Sequence, residues 1–141
     1  MNMDIKKDIV EEKIRLIEQH LQRLVAFKDL SVNRLSDDIN FAAAAWNLRS
    51  ALESTFDICA HILSRMPGVR VSEYKEMALE MGKQNIVPKE FADGPLRQMA
   101  GYRNRLTHFY FEVGPPEMYD IIQNHLDDFR TFMAHIKKLL I

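Results

Sequence analysis

The apolar residues of this chain recur with the period of a helix, and that period restricts the fold more than any other feature. Ile5, Ile9, Val10, Ile14, Ile17, Leu21, Leu24 and Val25 follow one another at steps of three and four, which gathers them on one stripe of an α-helix. The spacing predicts a first helix from about Asp4 to Phe27. Nothing further along reads as a paired strand, although the aromatic run FYFEV can extend briefly. A chain whose only buried surfaces are helix stripes must pack helix on helix.

Prolines and glycines punctuate the rest. A second helix is expected to start after Ser36 as its N-cap and to run through AAAAWNLRSALESTFDICAHILSRM to Pro67-Gly68, its alanines lowering the cost of helix formation. Ser72 can cap a short third helix carrying Tyr74, Met77, Ala78 and Met81 that ends near Gly82. Pro88 suits the first turn of a fourth helix with Phe91, Leu96, Met99, Ala100, Arg103, Leu106 and Thr107. Within it, Asp93-Gly94-Pro95 predicts a kink or a fresh start at Pro95, since proline lacks a backbone donor. Gly114-Pro115-Pro116 breaks the chain before a final helix from about Pro116 to Leu140. No repeat, low-complexity tract or long linker interrupts this pattern. The expected architecture is all-α, an up-and-down bundle of four long helices plus a short one, in a single domain over residues 1–141.

Composition narrows the function. A chain of 141 residues can build one core without disulfides or metal. Its 19 basic and 20 acidic residues argue against a surface that coats nucleic acid broadly, so attraction to phosphate must be local. Cys59 is the lone cysteine, which rules out an internal disulfide and a thiolate cluster. The stretch MNMDIKKDIVEEKIRLIEQ carries charges every few residues and no apolar run of the signal-peptide or membrane-spanning kind, so a reducing cytoplasm is the expected location and no membrane partner is expected. No G-x-G-x-x-G, phosphate-binding loop or serine-nucleophile motif is present.

Reactive side chains concentrate in GYRNRLTHFYFE, residues 101–112, which holds Arg103, Asn104, Arg105, His108 and Tyr110. On an uninterrupted helix Arg103 and His108 sit about 140° apart, while Arg103 and Tyr110 nearly coincide. Asn104 precedes His108 by one turn and can orient its imidazole. A shared site therefore requires either a helix end near Thr107 that turns His108 back toward Arg103, or a cleft assembled from two subunits. The commonplace alternative is that an arginine, a histidine and a tyrosine at a helix end cap carbonyls and pack against neighbours.

Other sets invite the same comparison. Glu53, Asp57 and His61 lie one turn apart on the second helix; they can bind a divalent ion or brace a pocket, but such a stripe is more often a polar seam between helices or subunits. His20, His125 and His135 lack partners at metal-ligand spacing, and Met77, Met81, Met99 and Met133 suit core filling. Trp46, amid alanines, is expected either in the core or at a subunit contact.

The run Arg103-Asn104-Arg105-Leu106-Thr107-His108-Phe109-Tyr110 resembles the R-x-x-x-x-H-x-Y signature of the HepT-like toxins in the HEPN superfamily, small all-helical ribonucleases. Asn47, Ala51, Glu53, Asp57 and His61, the tract IVPKEFADGPLRQMAGYRN, Tyr119 and Asp128-Phe129 also fall where that family's pattern places them. The resemblance implies cleavage of RNA without metal or other cofactor, at a homodimer interface. It makes His108 the general acid or base at the ribose 2'-hydroxyl or the leaving oxygen and Arg103 the holder of the scissile phosphate. Asn104 would position one of them, Tyr110 would line the site, and Arg105 is a weaker candidate for contact with the RNA backbone. Thr107 departs from the family, which often has an aliphatic residue there. The resemblance further implies a minimal nucleotidyltransferase antitoxin that transfers AMP onto Tyr110, setting a bulky anion beside the phosphate site. Expected partners are thus RNA, that antitoxin and a second copy of the chain, with a larger hetero-oligomer allowed and DNA not expected. The rival expectation is a non-catalytic helical binding module that docks to a nucleotidyltransferase and presents nucleotide or substrate.

Overall fold

A computed structural model describes residues 4–107 and 112–141. Its helices are α1 (Lys7–Val25), α2 (Val32–Leu35), α3 (Asp38–Ser64), α4 (Tyr74–Lys83), α5 (Lys89–Phe91), α6 (Arg97–Arg105), α7 (Pro115–Asn124) and α8 (Asp127–Leu139), with a π-helical turn, Ala92–Leu96, joining α5 to α6. No strand occurs among the described residues. The chain is an all-α bundle, as its apolar period requires.

In α1 the buried stripe is Val10, Ile14, Ile17, Leu21 and Leu24; Ile9 and Val25, one position to either side of that stripe, are exposed. The stripe packs on α3, and polar ties fix the direction. Lys6 N–H donates to His61 Nε2 (3.0 Å), Lys13 Nζ pairs with Asp57 (3.0 Å), and His20 Nδ1 meets Asn47 Oδ1 (2.9 Å). Residue numbers rise along α1 as they fall along α3, so the two run antiparallel.

α3 starts one residue later than its sequence suggests. Ser36 closes the short α2 instead, its Oγ donating to the Asn33 carbonyl, while the Asp37 carboxylate accepts from Ile39 and Asn40 N–H groups and caps α3. The helix is buried along most of its length through Leu48, Leu52, Phe56, Ile58 and Ile62. Cys59 is fully buried too, and burial pushes its thiol well above the ordinary range, which makes it inert at neutral pH.

One further boundary differs from expectation, at the start of α4: its N-cap is Glu73, without a side-chain cap, rather than Ser72. The helix ends at Lys83, beside Gly82 as expected. A Cβ at Gly82 would sit 2.6 Å from Ala92 Cβ, so glycine permits the close approach of α4 to the π turn. The left-handed terminating residue is Asn85 (φ 59°), whose N–H bonds the Gly82 carbonyl while Ile86 N–H bonds that of Met81. This is a Schellman arrangement with asparagine in the usual glycine position.

At Pro95 the helix neither stops nor restarts. Proline cannot donate, and in an α-helix its ring would press on the carbonyl four residues back. The π turn widens the helix locally, and Arg97 N–H reaches the Ala92 carbonyl five residues earlier. Helical backbone therefore continues from Lys89 to Arg105.

The final helix, by contrast, is interrupted. α7 ends at His125 (φ −124°) and α8 begins at Asp127. His125 lies near Asp120 and Asp128, one on each side of the break, at 3.3 and 3.8 Å, and Asp127 and Asp128 supply the negative charge a helix start favours.

Phe56, Phe129, Phe132, Ile17, Leu24, Leu48 and Met81 fill the centre of the core, each contributing about 1.5–3 kcal/mol by its burial. Met81, Met99 and Met133 are buried and Met77 is half-buried. Trp46 is not a core residue: it is 61% exposed on α3. Among the described residues no helix is long and apolar enough to cross a membrane.

Candidate active site around Arg103

Arg103 is 8% exposed near the end of α6, an unusual place for a cation. α3 supplies its counter-ion: Arg103 Nη2 lies 3.1 Å from Glu53 Oε1. α4 supplies a flat surface, with the Arg103 guanidinium carbon 5.0 Å from the centroid of the Tyr74 ring, a cation–π geometry. Thr107 makes the third contact. Its Oγ1 accepts from Arg103 Nη1 (2.6 Å) and donates to the Arg103 carbonyl (2.8 Å). The threonine thus ties the arginine side chain to its own turn.

These contacts leave capacity unused. A guanidinium has five N–H donors, and the buried Arg103 Nε finds no hydrogen-bond partner among the described residues. A guanidinium held on three sides by Glu53, Tyr74 and Thr107 presents its charge in a fixed direction. Glu53 is anchored in turn by Arg49 Nε at 3.1 Å.

The remaining candidates separate. α6 ends at Arg105, with Leu106 as C-cap, and the backbone comes back at Glu112, whose N–H bonds the Arg105 carbonyl (3.1 Å). A helix end near Thr107 is therefore present. His108 and Tyr110 lie outside the described residues. Asn104 is exposed, and its side chain makes no hydrogen bond among the described residues. Arg105 pairs in a fork with both carboxylate oxygens of Glu117 (2.7 and 2.5 Å) and sits over the Tyr102 ring at 5.8 Å.

The stripe on α3 does not act as a unit. Glu53 joins Arg103, Asp57 joins Lys13, and His61 accepts from the Lys6 backbone. Burial holds the His61 imidazole below its ordinary pKa, with Arg65 and Lys6 adding to the effect. Among the described residues no three His, Cys, Asp or Glu side chains gather as a metal site requires. Sequence reading missed Tyr74 and Arg49. Arg49 is visible in hindsight as an i,i+4 partner of Glu53, whereas no local signal marks Tyr74.

Known proteins resemble the chain over nearly its full length. Residues 10–136 match the profile of the family described as Ribonuclease HepT-like. The tRNA nuclease HepT of Aphanizomenon flos-aquae is 26% identical over 98% of this chain and 94% of its own. The mRNA nuclease HepT of Shewanella oneidensis is 27% identical over 92% of this chain and 97% of its own. Among solved structures, a tri-AMPylated Shewanella oneidensis HEPN toxin in complex with its MNT antitoxin superposes with a TM-score of 0.79 at 26% identity, over 98% of this chain and 99% of that one. The Bacillus subtilis cytosolic protein YutE shares the fold, with a TM-score of 0.81 at 17% identity, over 99% of this chain and 93% of that one. With its helical bundle, its nearly buried Arg103 and a profile match from Val10 to Ile136, the chain belongs to the HepT-like ribonuclease family.

Proposed function

We propose that this protein is the RNA-cleaving toxin of a toxin–antitoxin pair. The observation that carries the reading is Arg103, a nearly buried guanidinium whose Nε has no hydrogen-bond partner among the described residues, set five residues before His108 in the motif. The two HepT relatives, named as nucleases of tRNA and mRNA, support it. In the proposed reaction His108 takes the proton of a ribose 2'-hydroxyl, the 2'-oxygen attacks the adjacent phosphorus, and the P–O5' bond breaks. A proton returned to the departing 5'-oxygen completes the exchange. Arg103 binds the phosphate oxygens and steadies the charge that builds on them. Asn104 orients the reacting groups, and Tyr110 lines the site. Glu53 acts through Arg103 and is a positioning residue.

The chemistry so written needs no metal. Purified protein should cut RNA in the presence of EDTA, and His108→Ala should abolish cutting while leaving helicity intact. An alanine variant that cuts like the parent removes the assignment.

Regulation follows the AMPylated relative. A nucleotidyltransferase partner would add AMP to Tyr110, placing negative charge where Arg103 must receive phosphate. Incubation with that enzyme and ATP should raise the intact mass by one or more AMP units; an unchanged mass refutes the switch. A second copy of the chain is proposed to cover the exposed stripe Ile39, Ala42 and Trp46, which shares a face of α3 with Glu53. Ile39 is 80% and Trp46 61% exposed, a costly pair to leave in water. Trp46→Glu should convert the sedimenting dimer to monomer, and a variant that sediments like the parent excludes this face.

A further inference from the structure

The face of α6 turned away from Arg103 borders a second feature. Gly94, Gln98, Gly101 and Arg105, at steps of three and four, floor an open groove of about 710 Å³. Lys75 of α4 and Arg97 stand along one wall, and His125 and Asp128, at the break between α7 and α8, form part of the other. Gly101 keeps the floor low: a Cβ there would already lie 4.0 Å from Lys75 Cε.

The charges in this groove are unevenly matched. Both acids that line it have partners, Glu117 in its fork with Arg105 and Asp128 beside the His125 ring. Burial raises the Asp128 carboxyl, with the neighbouring His125 opposing that shift. Lys75 and Arg97, by contrast, have no acidic partner among the described residues. A chain with net charge −1 therefore holds a local excess of positive charge in a concave surface. That surface follows the π turn and α6 from Gly94 to Arg105, eleven steps of ~1.5 Å or about 16 Å, and ends within the motif at Arg105, on the face opposite Arg103.

We propose that this groove binds the phosphodiester backbone of single-stranded RNA, with Lys75 and Arg97 as the phosphate contacts, and leads the strand to the Arg103 motif. The groove lies outside the cleavage motif itself, and its role rests on the ribonuclease reading. Two cations without acidic partners among the described residues, in one concave surface, fit a polyanion. An acidic protein segment is the competing occupant, and RNA binding tells the two apart.

The test is fluorescence anisotropy of a short labelled single-stranded RNA titrated with the His108→Ala protein, so that the probe stays intact, at about 50 and 200 mM salt. Adding Lys75→Gln and Arg97→Gln should weaken binding about tenfold at the lower salt. It should also flatten the log–log salt dependence by about 1.4, two contacts at ~0.7 each for a single strand. Gly101→Gln, which fills the floor without changing charge, should weaken binding while leaving the salt slope nearer the parent's. Lys28→Gln with Lys138→Gln removes the same charge elsewhere and should have little effect.

Unchanged affinity and slope in the Lys75→Gln, Arg97→Gln variant overturn the groove, as does equal weakening by the remote pair, which assigns the effect to net charge. Cleavage by the unmutated protein, measured alongside, distinguishes the failures. A protein that cuts RNA but ignores the two substitutions keeps its ribonuclease assignment and loses the groove, whereas one that neither binds nor cuts loses both.

Discussion

Replacing Glu53 with glutamine keeps the size of the side chain and removes the charge opposite Arg103. Charges about 4 Å apart attract by ~4 kcal/mol at the effective dielectric of a protein surface. Glu53, however, is 40% exposed while Arg103 is 10% exposed at its side chain, so the pair lies between an exposed bridge worth about 0–1 kcal/mol and a buried one whose rupture costs about 3–5. A loss of about 1–2 kcal/mol follows, or a drop of roughly 4–8 °C in Tm for a chain of this size. The decisive assay is a double-mutant cycle with Arg103→Met, read by thermal unfolding and by RNA cleavage. In the Arg103→Met background Glu53→Gln should cost little, because only the partly exposed bridge to Arg49 remains. Cleavage should fall by up to about 10²-fold in the single variant through misplacement of the guanidinium, with no further fall when the arginine is already absent. Equal costs in both backgrounds would show that Glu53 does not act through Arg103 and would refute the positioning role.

Three further outcomes follow from other parts of the fold. His61 accepts from the Lys6 backbone only while its Nε2 is unprotonated, and its pKa is lowered on folding; the unfolded chain thus binds more protons, so this contribution is full above about pH 6.5 and is lost as pH falls. Amide protection at the start of α1, taken relative to intrinsic exchange at each pH, should fall on acidification, and His61→Gln should remove that fall. Gly82→Ala should destabilise by about 1–3 kcal/mol despite alanine's higher helix propensity, since its methyl meets Ala92 at 2.6 Å, and Ala92→Gly should restore Tm in the double variant. Cys59 should resist iodoacetamide in the native protein and react once denaturant unfolds it; rapid native labelling would contradict its burial.

The helices were legible where the apolar period is long. The stripe of α1 follows from steps of three and four, the extent of α3 from the cap region at Ser36, its alanines and the stop at Pro67-Gly68, and the family from the motif around Arg103 with its flanking tracts. What sequence left hidden depends on contacts between distant residues. Gly82 marks the end of α4 in sequence, but the close approach that requires glycine there is made by Ala92 in another helical segment. The break at His125 carries no proline or glycine and becomes intelligible only when Asp120 and Asp128 are seen on either side of the ring. At the candidate site, the guanidinium was identified by its motif, but the burial that makes it unusual comes from Tyr74 and Glu53, on two other helices. Glu53, Asp57 and His61 form the polar seam between helices that their spacing favours, but which partner each meets depends on contacts with α6 and with the start of the chain.

The π turn ahead of α6 sets rotational phase. One residue more or fewer within Ala92–Leu96 turns everything downstream by about 100° and slides it by ~1.5 Å. Arg103 would then swing off Glu53 and Tyr74, and the Gly101 side of the helix would move with it. The two faces of α6 are thereby geared together, so an insertion or deletion at this one widened turn re-aims them jointly, and neither face can drift in register without the other.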